Sequence, residues 1–159
     1  MNVYLMRHGE AENIKSGLRD SERQLTSAGR VNLENMFRII RKSVPQFDFL
    51  LSSPLIRAVQ TTEHIKILSQ SKAEILIERG LQPGEEIKKI IPVINSLRGN
   101  NIFICGHEPD ISEFCSMLIS TSYSSLLFKP GTLAKISFEG KVREASGILQ
   151  FLLNPALLK

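Results

Sequence analysis

The chain has 159 residues, of which 42% are apolar and 23% are charged. A chain of this length suits one domain and buries roughly 70% of its unfolded surface. No stretch approaches the roughly 20 apolar residues of a membrane helix, and the apolar run at the N-terminus stops at Met6, too early for a signal peptide. We therefore expect a single domain over residues 1–159, located in the cytoplasm, with no membrane partner.

Net charge and cysteine content narrow the classes of partner. The formal net charge is +4, from 20 Lys and Arg against 16 Asp and Glu, an excess that can steer phosphorylated substrates. The basic residues form no clustered stripe, so we expect no nucleic-acid partner. Cys105 and Cys115 lack close metal-ligand spacing, and we interpret them as buried free thiols.

The first elements along the chain are a strand, a long loop and a helix. The apolar run Asn2–Met6 predicts a buried strand. A polar loop of about 18 residues then reaches Gln24, and loops of such length often act as functional lids. Thr26 is a good N-cap for the helix that follows, and Pro45 is its predicted end. The core-facing stripe of this helix is Leu33, Met36, Phe37, Ile40 and Val44.

The second strand and helix follow directly. Strand Phe47–Leu51 leads to Ser53 and Pro54, a capping residue and a residue suited to a first helical turn. This start places Arg57 in the first turn of the second helix. A third strand is predicted over Glu74–Ile77.

The remaining elements continue the alternation and then change to strands. Pro92 lies within the next helical pattern and predicts a kink or two short helices. The fourth strand is Ile102–Cys105, and a helix begins around Pro109 and Asp110, where we expect Asp110 to cap the helix or to compensate its N-terminus. The last predicted strands are Leu126–Phe128, Leu133–Phe138 and Ile148–Leu153. Alternating strands and helices predict an α/β fold.

Two arginines and two histidines lie at predicted strand ends. Arg7 and His8 follow the first strand, Arg57 follows the second, and His107 follows the fourth. Ligands of open α/β sheets bind outside the carboxyl ends of the strands, so these side chains should converge on one crevice. A phosphoryl group fits such a set of cations and imidazoles.

The chain carries four motifs in order: Arg7-His8-Gly9, Arg23-x-Leu25-Thr26-x-x-Gly29, Ser52-Ser53-Pro54-x-x-Arg57-Ala58-x-Gln60-Thr61 and Gly106-His107. They resemble those of the histidine phosphatase superfamily, also called phosphoglycerate-mutase-like proteins. The resemblance implies a three-layer α/β/α sandwich with a mostly parallel central sheet and helices on both faces. Short length, the Leu81-x-Pro83-Gly84 segment and the lack of large insertions resemble the small SixA-type protein-phosphohistidine phosphatases.

Phosphoryl transfer needs a nucleophile and cations around the phosphoryl oxygens. We expect His8 to attack phosphorus in its neutral form, because two nearby guanidinium groups oppose protonation of the ring. Arg7, Arg57 and His107 would bind the oxygens, and a backbone carbonyl near Gly9 would fix the His8 tautomer. We also place Gly9, Glu10 and Arg23 among the substrate-binding residues. For Arg23, anchoring the long loop by a salt bridge is an equal alternative.

The resemblance implies neither metal nor organic cofactor, and a phosphohistidine intermediate hydrolysed by water. Many phosphomonoesterases supply a carboxylic acid to protonate the leaving group. Here Glu78, Glu85 and Glu86 are only weak candidates, and Glu10 is a more plausible neighbour of the nucleophile than the acid. This favours a leaving group that needs little assistance, such as the imidazole of protein phosphohistidine.

Two alternative functions stay open. One is a phosphatase for a small phosphorylated metabolite, and the other is a noncatalytic phosphate-binding module. The intact His8 argues against the second. A mutase is disfavoured because the chain has no large insertion to close over a substrate.

Overall fold

The computed structural model describes residues 1–14, 17 and 19–157. One six-stranded sheet has the strand order β3-β2-β4-β1-β5-β6. Strands β1 to β4 are parallel to one another, whereas β5 runs antiparallel to both β1 and β6. The strands are β1 (Asn2–Arg7), β2 (Phe49–Ser52), β3 (Ile75–Ile77), β4 (Asn101–Gly106), β5 (Leu133–Ser137) and β6 (Ile148–Leu153).

Helices cover both faces of this sheet, because β1 is apolar on both sides. Val3 and Leu5 face one core cluster, and Tyr4 and Met6 face the other, as the two-residue period of a strand requires. The helices are α1 (Ser27–Ile40), α2 (Ile56–Leu68), α3 (Ile90–Ser96) and α4 (Asp110–Ile119). Side chains of α1 and α2 belong to one cluster and those of α3 and α4 to the other. The predicted α/β/α sandwich is confirmed.

Helix α1 begins as predicted but ends early. Thr26 is its N-cap, and its hydroxyl accepts a hydrogen bond from the Gly29 amide at 2.9 Å. The helix ends at Ile40, whose carbonyl accepts from the amides of Ser43 and Val44 in a closing turn. Pro45 was therefore the wrong stop signal, since the chain has already turned before reaching it.

The region around Pro92 forms two short helical segments. A 3₁₀ turn over Ile87–Lys89 runs into α3, and Pro92 lies in the first turn of α3, where a missing N–H costs no helical hydrogen bond. The predicted pair of helices is confirmed, with the junction before Pro92. Asp110 is not the cap of α4 but lies in its first turn, where a carboxylate compensates the positive end of the helix, the other of its two predicted roles. Its carboxylate accepts from the Gly84 amide at 3.3 Å.

The C-terminal segments depart from the prediction once. Strands β5 and β6 form near their predicted places, but Leu126–Phe128 is not a strand. Phe128 is fully buried in the core, and its carbonyl accepts from Arg7 Nη1 at 2.8 Å. Its backbone therefore supports Arg7.

No helix in the described ranges 1–14, 17 and 19–157 is long and apolar enough to cross a membrane.

Candidate active site

Three neighbouring strands deliver the predicted site residues to one edge of the sheet. Strand β4 lies between β1 and β2, so the residues that follow all three strands are adjacent. The His8 amide donates to the Gly106 carbonyl, and the Ser53 amide donates to the Cys105 carbonyl, both at 3.1 Å. The rings of His8 and His107 have centroids 5.1 Å apart. The strand ends therefore converge as expected.

We call Arg7, His8, Arg57 and His107 the floor of the site. His8, Arg57 and His107 are 7%, 4% and 2% exposed, and Arg7 is half-buried. Such burial of cationic side chains is uncommon unless they have a functional or paired role.

His8 is held in one tautomer. Its Nδ1 lies 2.7 Å from the Gly9 carbonyl oxygen, and its Nε2 lies 3.1 Å from Arg57 Nε. A carbonyl can only accept and a guanidinium can only donate, so Nδ1 carries the proton and Nε2 presents its lone pair. The predicted carbonyl near Gly9 is thus Gly9's own.

Burial, together with the smaller effect of the charges of Arg57, Arg7 and Arg23, lowers the pKa of His8 to about 4, against the opposing effect of the Gly9 carbonyl. The two guanidiniums were expected to keep the ring neutral, whereas desolvation is the larger cause. His8 is therefore neutral at pH 7, and the lone pair on Nε2 makes this nitrogen the one that can act as a nucleophile.

Gly9 positions the nucleophile. Its amide donates to Thr61 Oγ1 at 3.0 Å, and its carbonyl binds His8, so both of its backbone groups are used within the protein. A Cβ at this position would lie 3.1 Å from side-chain atoms of Leu25 and Leu33. In this structure Gly9 packs against these two leucines and both of its backbone groups are bonded within the protein, and its role in substrate binding stays a prediction.

Arg57 connects the floor to the loop after β1. It lies in the first turn of α2, as predicted, and donates from Nε to His8. Its Nη1 donates to the Asp20 carbonyl at 2.6 Å, and its Nη2 donates to Asp20 Oδ2 at 2.9 Å. Asp20 therefore covers the outward side of the Arg57 guanidinium.

We call Asp20 and Arg23 the rim of the site. Asp20 opens a 3₁₀ turn over Asp20–Glu22, and its side chain is 48% exposed. Its Oδ1 accepts from Arg23 Nη1 at 2.8 Å, while Arg23 Nε donates to the Glu12 carbonyl. The hydrogen bond from Arg23 is the first cause that lowers the pKa of Asp20, and Arg57 acts in the same direction. Of the two roles predicted for Arg23, the loop-anchoring salt bridge is formed.

The rim belongs to the predicted long loop, of which positions 15, 16 and 18 lie outside the described residues. Sequence reasoning missed Asp20. Its spacing of three residues before Arg23 is the one signal that could have indicated a pair.

Glu108 is close enough to the floor residue Arg7 for their charges to interact. Burial lowers the pKa of Arg7, the charge of Glu108 opposes that shift, and Arg57 adds to it. Glu108 Oε2 accepts from the Ser112 hydroxyl at 2.7 Å, and burial raises the pKa of the Glu108 carboxyl. Among the described residues, Arg7 Nε and Glu108 Oε1 are buried without a hydrogen-bond partner. Sequence reasoning missed Glu108 although it directly follows His107.

The four acidic residues named from the sequence are exposed or half-buried. Glu10 is exposed, and its Oε1 accepts from the Thr26 hydroxyl at 3.2 Å. Glu86 is exposed and pairs with lysine side chains, and Glu85 is exposed. Among the described residues, no hydrogen bond or ion pair joins Glu10, Glu78, Glu85 or Glu86 to the floor. Nor do three His, Cys, Asp or Glu side chains of this part of the chain group as metal ligands.

His107 is buried and neutral. Its Nε2 lies 2.8 Å from Ser53 Oγ, and burial, followed by the charges of His8 and Arg57, lowers its pKa to about 3. Ser53 was predicted to cap α2, but α2 begins at Ile56 with Leu55 as its N-cap. That prediction was wrong because the Ser53 hydroxyl is used by His107.

Two histidines and two arginines lie together beside adjacent strand ends of this α/β/α sandwich, and such a set of donors suits an anionic phosphoryl group. The model of the histidine phosphatase superfamily (branch 1) matches residues 3–88. That match spans more than half of the chain, and the chain belongs to this superfamily.

Individual relatives give a consistent picture. A Haemophilus influenzae protein described as a phosphohistidine phosphatase SixA homolog is 25% identical over 167 aligned positions, which cover 99% of this chain and 98% of that protein. The structure of the protein histidine phosphatase SixA complexed with tungstate has a TM-score of 0.88 at 21% identity and covers 100% of both chains. A putative α-ribazole-5′-P phosphatase from Escherichia coli has a TM-score of 0.70 at 16% identity over 98% of both chains. The fold is therefore SixA-like and is shared with phosphatases of other substrates.

Proposed function

We propose that this chain is a metal-independent phosphatase that transfers a phosphoryl group to His8 and then to water, with phosphohistidine on a protein as its substrate. The observation that carries the proposal is His8 itself. It is buried and neutral, with Nδ1 bonded to Gly9 and the Nε2 lone pair among cationic side chains. Membership of the superfamily supports a phosphatase activity.

Binding of the phosphoryl group would release the nucleophile. In the resting site, Arg57 Nε donates to His8 Nε2 at 3.1 Å and so occupies the lone pair that must attack. A phosphoryl oxygen is anionic and accepts a stronger hydrogen bond from a guanidinium than a neutral ring nitrogen does. We expect Arg57 to turn to the phosphoryl oxygens, joined by Arg7, and thereby to free Nε2.

The transfer then follows in two displacements. The Nε2 lone pair forms a bond to phosphorus while the bond from phosphorus to the leaving atom breaks and its electron pair goes to that atom. A water oxygen next bonds to phosphorus, the bond to Nε2 breaks, and the electron pair returns to His8. Inorganic phosphate leaves with the oxygen of that water. Arg7, Arg57 and His107 hold the phosphoryl oxygens in both steps.

The substrate class follows from how the leaving group is protonated. The imidazole of phosphohistidine can leave already protonated on its other nitrogen, whereas an alkoxide needs an acid. None of the four carboxylates named from the sequence contacts the floor within the described residues. A phosphoramidate substrate is therefore the better fit to this site.

One observation favours a second candidate function. Glu108 has a raised pKa and a buried oxygen without a partner among the described residues, beside the floor. Such a carboxyl group could protonate an alkoxide, which would suit a small phosphomonoester. The α-ribazole-5′-P phosphatase neighbour has the same fold.

The test is phosphate release measured on a protein carrying phosphohistidine and on a simple alkyl phosphate, with His8→Ala as the control. We expect fast release from phosphohistidine by the unmodified enzyme alone. Faster hydrolysis of the alkyl phosphate would favour the second candidate. Tungstate binding without turnover of either substrate would favour a binding module.

The proposed metal independence and cytoplasmic location each have separate support. Arg7 and Arg57 supply the positive charge that a metal ion would otherwise bring, so activity should survive a chelator. Cys105 and Cys115 are both free and buried, which is typical of reducing compartments and supports a cytoplasmic location. The substrate protein is the only partner we propose.

A further inference from the structure

The neutral ring of His107 carries one proton, and the nitrogen that holds it decides what the residue does. A ring N–H directed at a phosphoryl oxygen stabilises it, whereas a ring lone pair directed at the same oxygen repels it. Because His107 is held neutral by burial, it cannot donate from both nitrogens. The tautomer therefore determines whether His107 helps or opposes binding.

The hydrogen bonds of Ser53 identify the tautomer. Ser53 is fully buried, and its Oγ has two contacts among the described residues, the Leu55 amide at 3.4 Å and His107 Nε2 at 2.8 Å. The amide is a donor, so it cannot accept the hydroxyl proton. A buried hydroxyl that kept its proton unpaired would lose the free energy of one hydrogen bond. His107 Nε2 is the acceptor that remains.

From this we infer that Ser53 is a positioning residue that donates its hydroxyl proton to His107 Nε2 and so places the ring proton on Nδ1, where it donates to the bound phosphoryl group. Nδ1 is buried and has no hydrogen-bond partner within the described residues. The ring stands beside His8, with centroids 5.1 Å apart. Nδ1 therefore has no acceptor within the described part of the protein, and a bound ligand can supply one.

This inference depends on the proposed function only for the identity of the ligand, since the tautomer exists without one. The opposite tautomer would leave the Ser53 proton unpaired and put a lone pair at Nδ1. It would therefore cost a buried hydrogen bond and weaken anion binding at once.

The tautomer can be measured directly by long-range ¹H–¹⁵N correlation NMR of the histidine rings at pH 7. The chain has three histidines, so His64→Gln and His8→Ala assign the His107 signals by elimination. We expect a protonated Nδ1 and an unprotonated Nε2 in the unmodified protein. A protonated Nε2 would overturn the inference, whatever the activity of the enzyme.

The role of Ser53 is tested by three substitutions with tungstate binding as the readout. Ser53→Ala should mix the two tautomers and weaken tungstate binding by about 10- to 100-fold, the value of one hydrogen bond to a charged group. Ser53→Thr keeps the hydroxyl and should restore Nδ1 protonation. Ser52→Ala is the matched control, because Ser52 is also fully buried but its hydroxyl donates to the Ser53 carbonyl at 2.9 Å.

Two outcomes separate this inference from the proposed function. If Ser53→Ala keeps a protonated Nδ1 and unchanged tungstate binding, Ser53 does not position His107. If the tautomer and tungstate results are as expected but no phosphorylated substrate is turned over, the proposed phosphatase function fails and the role of Ser53 stands.

Discussion

The floor and the rim of this site are built in different ways. The floor side chains follow the ends of β1, β2 and β4, and three of the four are almost completely buried. The rim lies on the loop between β1 and α1, with a half-exposed Asp20 held by two arginines. Buried groups on strand ends keep one geometry, whereas exposed ion pairs contribute little stability and exchange readily. We therefore propose that the floor sets the chemistry and that the rim adjusts access to it.

The largest expected effect comes from removing the nucleophile. His8→Ala should lower kcat by at least about 10⁴-fold, because no other group can form the covalent intermediate. Circular dichroism should show an intact fold. His64→Ala is the matched control, since His64 pairs with Glu34 at 3.2 Å on the helices, and this variant should keep full turnover. Sustained activity of His8→Ala would remove His8 from the mechanism.

The second effect concerns Arg57, the floor residue that donates hydrogen bonds to Asp20 of the rim. Arg57→Lys keeps the charge but loses both the forked donors and the Nε–H that contacts His8, so kcat/KM should fall about 10²- to 10³-fold. Arg38→Lys, on the exposed face of α1, should change nothing. A loss of less than threefold for Arg57→Lys would show that a point charge at this position is sufficient.

The third effect is on stability, and it distinguishes the buried floor from the exposed rim. The folded pKa values of His8 and His107 are about 4 and about 3, below the ordinary value of 6.5. The unfolded chain therefore binds more protons as the pH falls below 6.5, and the folded state loses stability until the folded pKa values are reached. Between pH 7 and pH 5 the loss should be about 2 kcal/mol for each histidine.

Urea unfolding at the two pH values measures this loss. His8→Ala should remove about half of the pH-dependent part, because one of the two buried rings is gone. A pH-dependent loss that is the same in His8→Ala and in the unmodified protein would show that His8 is not held neutral by the fold.

The smallest effect concerns the rim. The Asp20 carboxylate lies on the guanidinium that should bind phosphoryl oxygens, so it competes with an incoming anion. Asp20→Asn should tighten tungstate binding by about 1.5- to 5-fold, in the range of one exposed ion pair. Glu22→Gln, in the same turn, is the control. Weaker tungstate binding to Asp20→Asn would mean instead that Asp20 orients Arg57 for the ligand.

Much of the fold and of the floor could be predicted from the sequence because each depends on local patterns. The continuous apolar run of β1 and the helical spacing in α1 and α4 predicted the layers, and short motifs after the strands predicted where the four floor side chains meet. The strand prediction for Leu126–Phe128 failed because only Phe128 is fully buried, while Leu127 is exposed and the Phe128 carbonyl binds Arg7 instead of a neighbouring strand. A hydrophobic run does not reveal which neighbour its carbonyls will meet.

The rim and the supporting contacts could not be predicted in the same way. Serine is a common helix-capping residue, and Ser53 lies shortly before α2. Its hydrogen bond with His107 depends on β2 and β4 being neighbours. Asp20 is separated from Arg57 by 37 positions in the chain. Such long-range pairs have no periodic signal, so a sequence pattern cannot identify them.

Trapping the covalent intermediate tests the central claim most directly. The enzyme is mixed with a phosphohistidine-bearing protein, quenched at alkaline pH within the first turnover, and digested for mass spectrometry. We predict one added phosphoryl group, located on His8 and absent from the His8→Ala variant. Turnover with the phosphoryl group found on another residue, or on none, would contradict the account.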